Sequence, residues 1–169
     1  MEIPDSVLTE IQELCSEGDV LLEMGEVTQA YENYIAAFAL VPEPKEQFNA
    51  TTWILAALGD LYFKSKDFAQ TTRVMEDALL CAGGFGNPFL HLRIGQAQFE
   101  LNNETRAADE LCRAYMGAGK KIFESESEVL RILENQDCSA SEWAVVKPNQ
   151  IIRAEVLKYA FLPKLGLMR

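Results

Sequence analysis

Three copies of one spaced pattern, glycine–x11–alanine–x3–aromatic–x2–alanine, constrain this chain more than any single residue does. The first copy runs Gly18, Ala30, Tyr34, Ala37 and Pro42; the second Gly59, Thr71, Met75, Ala78 and Gly83; the third Gly95, Ala107, Leu111, Ala114 and Gly119. All three share offsets of 12, 16, 19 and 24 residues from the glycine. The glycines lie 41 and 36 residues apart, slightly more than the period of about 34 of helix–turn–helix repeats. Small residues let two antiparallel helices approach closely, and the large residue of the second helix fills the gap between neighbouring pairs. The pattern therefore predicts an all-α chain of three stacked helix pairs.

Local signals divide the pairs. Val7, Leu8, Ile11, Leu14 and Leu21 fall at helical spacing over residues 5–24, with Asp5 or Ser6 as N-cap and Gly25-Glu26 as the turn. The partner helix runs to about Leu40, where Pro42-Glu43-Pro44 ends it. Residues 45–51 lengthen the linker and suit an extra helical turn. The second pair is expected over 50–64 and 68–81, turning at Ser65-Lys66-Asp67. Gly83-Gly84-Phe85-Gly86 breaks the chain, Asn87 caps the next helix, and Pro88 takes its first position, where a missing N–H costs nothing. The third pair spans 88–101 and 104–121 around Asn102-Asn103. Residues 122–134 read as a helix capping the open end of the stack, and 137–148 as a loop. Asn149 begins a final helix that ends before Pro163 and Gly166. Residues 1–136 thus make the repeat body, and 137–169 a loop and a basic, apolar C-terminal helix packed on the same domain.

Charge is unevenly distributed. The net charge of −11 divides into −15 over residues 1–146, with 10 basic and 25 acidic residues, and +4 over 147–169, with 5 basic and 1 acidic. An acidic body repels phosphate backbones, which argues against nucleic acid, whereas a basic protein or peptide is steered toward it. The start Met1-Glu2-Ile3-Pro4-Asp5 lacks the basic-then-apolar form of a signal peptide. No apolar run approaches the roughly 20 residues of a membrane span. Cys15, Cys81, Cys112 and Cys138 are too scattered for a metal-type pairing and read as buried thiols in a reducing cytoplasm.

Positive signs of catalysis are missing from the sequence. The glycine cluster at 83–86 lacks the Lys-Ser/Thr ending of a phosphate loop and follows a helix, so it reads as a linker. His91, the single histidine, stands four residues before Gly95, as Leu14 and Leu55 stand before Gly18 and Gly59. That position packs against the partner helix. A lone histidine excludes a histidine pair for a metal, and no carboxylate spacing marks an acid/base pair. The expectation is a non-enzymatic chain with no cofactor and no metal.

The pattern over roughly residues 11–121 resembles the tetratricopeptide repeat family. The resemblance implies a short right-handed solenoid whose groove binds protein segments, with ligand-facing residues on the first helix of each pair. Carried over by offset from each glycine, these are Gln12, Cys15, Asp19, Leu22 and Glu23 in the first pair. The second pair supplies Trp53, Ala56, Asp60, Phe63 and Lys64, and the third Phe89, Leu92, Gln96, Phe99 and Glu100. Acids mixed with large aromatics suit a protein or peptide partner. The basic clamp with which some family members hold acidic chaperone tails is replaced by Asp19, Asp60 and Gln96, with Lys64 the one basic residue in these slots.

The stretches Pro42-Glu43-Pro44-Lys45, Thr52 to Asp60, and Asn87 to Phe123 resemble a narrower group of short bacterial repeat proteins that accompany secreted polymorphic toxins. This resemblance implies a cytoplasmic immunity-type inhibitor that neutralises a cognate toxin. The alternatives are a class II chaperone of type III secretion, holding cargo in the groove, and a general adaptor. Ile151, Ile152, Val156, Leu157, Tyr159, Phe161 and Leu162 give the basic C-terminal segment a broad apolar surface. It is expected to dock on the repeats, in its own chain or in a second copy to give a homodimer.

Overall fold

The computed structural model describes residues 2–123. By its contacts the chain divides into two units, Met1–Asp137 and Cys138–Arg169, and the described residues belong to the first. The helix expected over 122–134 beyond Phe123, the loop after it and the C-terminal helix lie outside the described residues. Within them the chain is all-helical: α1 (Asp5–Glu23), α2 (Val27–Leu40), α3 (Asn49–Lys64), α4 (Phe68–Leu79), α5 (Pro88–Glu100) and α6 (Glu104–Ala118). Short 3₁₀ turns fall at Lys45–Gln47 and Lys120–Phe123.

The three copies of the pattern fall on three antiparallel pairs, α1 with α2, α3 with α4, and α5 with α6. Each pair turns in the same way. Gly25, Lys66 and Asn102 have φ of 83°, 62° and 59°. The next residue then donates back five positions: Glu26 to Leu21, Asp67 to Tyr62 and Asn103 to Gln98, each at 2.9 Å. This left-handed cap satisfies carbonyls that the helix end would leave bare. Only the first turn uses glycine, the residue that adopts this conformation without a Cβ clash.

The repeated glycines mark close seams between the two helices of each pair. A Cβ built on Gly18 would lie 2.6 Å from Tyr34 Cε1, on Gly59 2.5 Å from Met75 Cε, and on Gly95 2.6 Å from Leu111 Cγ. In every pair the large residue 16 positions on fills the space that the missing side chain opens. Tyr34, Met75 and Leu111 are completely buried, as are Ala30, Ala37, Ala78, Ala107 and Ala114 beside them. The spacing seen in the sequence is thus a packing rule: small against large, at native density.

Neighbouring pairs join through α2 with α3 and α4 with α5. The first helices also touch in succession, α1 with α3 and α3 with α5, whereas α2, α4 and α6 barely contact one another. Polar bonds secure these joints. Lys45 Nζ donates to the α2 carbonyls of Phe38 (3.0 Å) and Val41. Thr52 Oγ1 donates to Ala82 O at 2.7 Å, and Ala82 N to Glu46 O at 2.8 Å. Buried Gln98 donates to Thr72 Oγ1 at 3.0 Å and accepts from Asn103 Nδ2 at 3.0 Å, so its amide is satisfied inside the fold.

Two helices end earlier than the sequence suggests. α4 stops at Leu79, because Leu80 and Cys81 bond three residues back instead of four. α6 stops at Ala118, where Gly119 turns the chain with φ 67°. The turn that follows brings Phe123, completely buried, against Leu92, Leu111 and Ala114. At α5, Asn87 Oδ1 accepts from Phe89 N at 3.0 Å and Pro88 takes the first position, as the sequence indicates.

Candidate functional site

The first helices α1, α3 and α5 bring most of the expected groove residues to one face, where two adjacent clefts open. The first, about 340 Å³, is lined by Asp19, Leu22 and Glu23 of α1, Tyr34 of α2, Ala56, Ala57, Asp60 and Lys64 of α3, and Phe89 of α5. The second, about 250 Å³, is lined by Ile11, Gln12, Cys15, Ser16 and Asp19 of α1 and Trp53, Ile54 and Ala57 of α3. Asp19 and Ala57 belong to both and form the wall between them.

The carboxylates of this face are positioned by other side chains. Buried Tyr34 donates its hydroxyl to Asp19 Oδ1 at 2.6 Å. Burial, and then the Asp19 carboxylate, push the Tyr34 phenol well above its ordinary range, so it stays protonated and remains a donor. Asp60 meets Arg93 Nε at 2.7 Å and Lys64 Nζ at 3.3 Å. Trp53 is half exposed, at 51%, an unusual state for an indole on a helix face.

Arg93 is the residue that the sequence reading missed. Its guanidinium lies 4.8 Å from the Phe63 ring centroid and 5.3 Å from that of Phe89. It bonds Asp60, and Nη1 donates to Gln96 Oε1 at 2.8 Å. Two aromatic faces and two oxygen acceptors therefore hold one cation at the α3–α5 seam. The signal was present in the sequence: Arg93 stands two residues before Gly95, as Ser16 and Ala57 stand before Gly18 and Gly59, and both of those line clefts.

Not every expected residue reaches the clefts. Asp19, Leu22, Glu23, Trp53, Asp60, Lys64 and Phe89 do. Gln96 is 5% exposed and spends its carbonyl oxygen on Arg93, and Leu92 is core. Phe63 packs edge-on to Phe68 at 5.6 Å and under Arg93. Phe99 and Glu100 line neither cleft. The face is also less acidic than the sequence suggests, because Arg93 and Lys64 both offset Asp60.

The reactive side chains are quenched or engaged. Burial, and secondarily Asp19, push the Cys15 thiol up to about 11, which leaves little thiolate at neutral pH. Cys81 is raised likewise to about 11, by burial and then by Asp77 and Glu46. Cys15 and Cys81 carry free thiols. His91 Nδ1 lies 2.6 Å from Glu110 Oε2 in a largely buried pair between α5 and α6, the packed position its spacing indicates. Among the described residues no group of three His, Cys, Asp or Glu side chains could hold a metal, and no helix is long and apolar enough to cross a membrane. The glycine cluster joins two helices and presents Phe85 at 96% exposure.

Neither a protein-family model nor a curated protein matches this sequence.

Proposed function

We propose that this chain is a non-enzymatic binding protein of tetratricopeptide type that sequesters a cognate protein, in the manner of an immunity protein neutralising a toxin. The observation that carries this reading is the α1–α3–α5 face, where two contiguous clefts and the exposed Trp53 indole are mounted on helices locked by glycine seams. First helices that touch in succession, with second helices that barely do, suit a stack curved around that face. An exposed tryptophan on a rigid helix is a good interface anchor because it buries a large area at little entropic cost. The acidic body favours a basic partner and speeds its capture, and a bound inhibitor excludes the target's own substrate.

The test is to co-express the chain in a bacterial host with the product of the adjacent reading frame. The reading expects rescue of growth and a complex that co-purifies, both weakened by Trp53→Ala and by Asp19→Lys. Absence of rescue, or rescue and binding indifferent to both substitutions, would remove the groove as the inhibitory surface.

A further inference from the structure

Resting on the protein-binding reading, we infer that the two clefts recognise a paired signal: a lysine or arginine beside a large apolar side chain on one partner segment. The cationic chain occupies the first cleft and the apolar chain the second. In the first cleft Leu22, Ala56, Ala57 and Phe89 supply apolar wall for an aliphatic stem, and Asp19 and Glu23 supply carboxylates for its head. Asp60 contributes little net charge, since Arg93 and Lys64 already contact it. Asp19 is different. The Tyr34 hydroxyl that orients it is neutral, so its charge is aimed at the cleft and not cancelled. An incoming carboxylate would meet Asp19 and Glu23 together and be repelled.

The second cleft has the opposite character. Ile11, Ile54, Ala57 and Trp53 make its body, Gln12 and Ser16 are its small polar groups, and the Cys15 thiol is protonated. A leucine, isoleucine, methionine or phenylalanine would lose water there against the half-exposed Trp53 indole, over a floor that Ile11 and Ile54 complete. Because Asp19 and Ala57 wall both clefts, the two occupants are close neighbours. Adjacent occupants suit side chains two apart on an extended segment or three to four apart on a helix. Ala57, a small side chain shared by both clefts, stands where the third copy carries Arg93.

A positional-scanning peptide library probed against the full chain tests the pairing, followed by anisotropy titration of the best fluorescent peptide. The result expected is joint selection of Lys or Arg with Leu, Ile, Met or Phe within four residues. Asp19→Asn with Glu23→Gln should weaken the peptide roughly tenfold or more and flatten its salt dependence. Ala57→Leu, which fills both clefts and leaves the charges alone, should abolish binding, and Glu100→Gln, outside both clefts, should change nothing. Selection of acidic residues, selection of basic residues uncoupled from apolar ones, or titrations unaffected by Ala57→Leu would overturn the inference. So would a library that selects no peptide. If the cognate protein still binds and depends on Trp53, only the pairing fails; if it binds regardless of Trp53 and Ala57, the protein-binding reading of this face fails with it. Circular dichroism on each variant separates lost binding from lost fold.

Discussion

The seams inside the helix pairs and the face across α1, α3 and α5 use the same three repeats in opposite ways. At the seam the three copies converge: glycine against a fully buried large residue 16 positions on, with completely buried alanines nearby. On the face they diverge. The slot two residues before the glycine holds Ser16, Ala57 and Arg93, and the slot six before it holds Gln12, Trp53 and Phe89. A seam has one physical solution, close approach of two backbones, so one pattern serves all three. A recognition face has to present different chemistry at each step along a partner.

Substitutions can break this comparison or sharpen it. Met75→Ala at the middle seam should cost the most, about 2–5 kcal/mol, because the side chain is fully buried against Gly59. Urea unfolding measures this, and a loss below about 1 kcal/mol would mean that the seam collapses and is not a close-packed joint. Gly95→Leu should overpack against Leu111 and cost about 1–3 kcal/mol. The double variant Gly95→Leu with Leu111→Ala should recover part of that loss if the contact itself is the cause.

Asp77 on α4 gives the seam region a pH dependence. Burial foremost, then Glu76, raise its carboxyl from 3.8 to about 6 in the fold, against an opposing pull from Arg73. The folded state therefore binds this proton more tightly than the unfolded chain does. Stability from this group is gained as pH falls below about 6 toward 4 and lost as pH rises through 6. Solvent screening reduces the effect to on the order of 1 kcal/mol. Melting temperatures of wild type and Asp77→Asn between pH 5 and 8 should converge at the acid end, with the variant higher at pH 8.

Smaller effects belong to the turns and the face. Lys66 holds φ 62°, a conformation that costs a side-chain-bearing residue about 1 kcal/mol, so Lys66→Gly should stabilise by up to that amount. Unchanged stability would mean that Lys66 carries no strain relative to Gly25. Trp53→Ala should alter stability by no more than about 0.5 kcal/mol, since half of the side chain already faces water, while weakening partner binding. A large stability loss would make Trp53 a packing residue and erase the distinction between seam and face.

Much of the fold was legible because its information is local. Turn positions at Gly25, Lys66 and Asn102, the Asn87-Pro88 start and the linker's extra turn are each written within a few residues. The α4 and α6 ends were overrun by a few residues, because apolar periodicity continues past the point where hydrogen bonding tightens or Gly119 turns the chain. The site was less legible. Offsets placed Asp19, Glu23, Trp53 and Asp60 on one face but said nothing about which charges were already occupied.

What the sequence by itself determined is the all-helical pairing and the three turns; that each large residue meets the glycine of its own pair, and not the gap between pairs, came from the structure. Backbone hydrogen bonding and helical periodicity act over one or two turns and leave a regular trace along the chain. Only the tertiary structure decided that Arg93 reaches Asp60, 33 residues earlier, and slots between Phe63 and Phe89. It likewise decided that Tyr34 aims Asp19, and that Asp19 and Ala57 divide two clefts. These depend on how one helix lies against the next. A pairing energy that falls off within a few ångströms is set by that geometry, and no linear spacing encodes it.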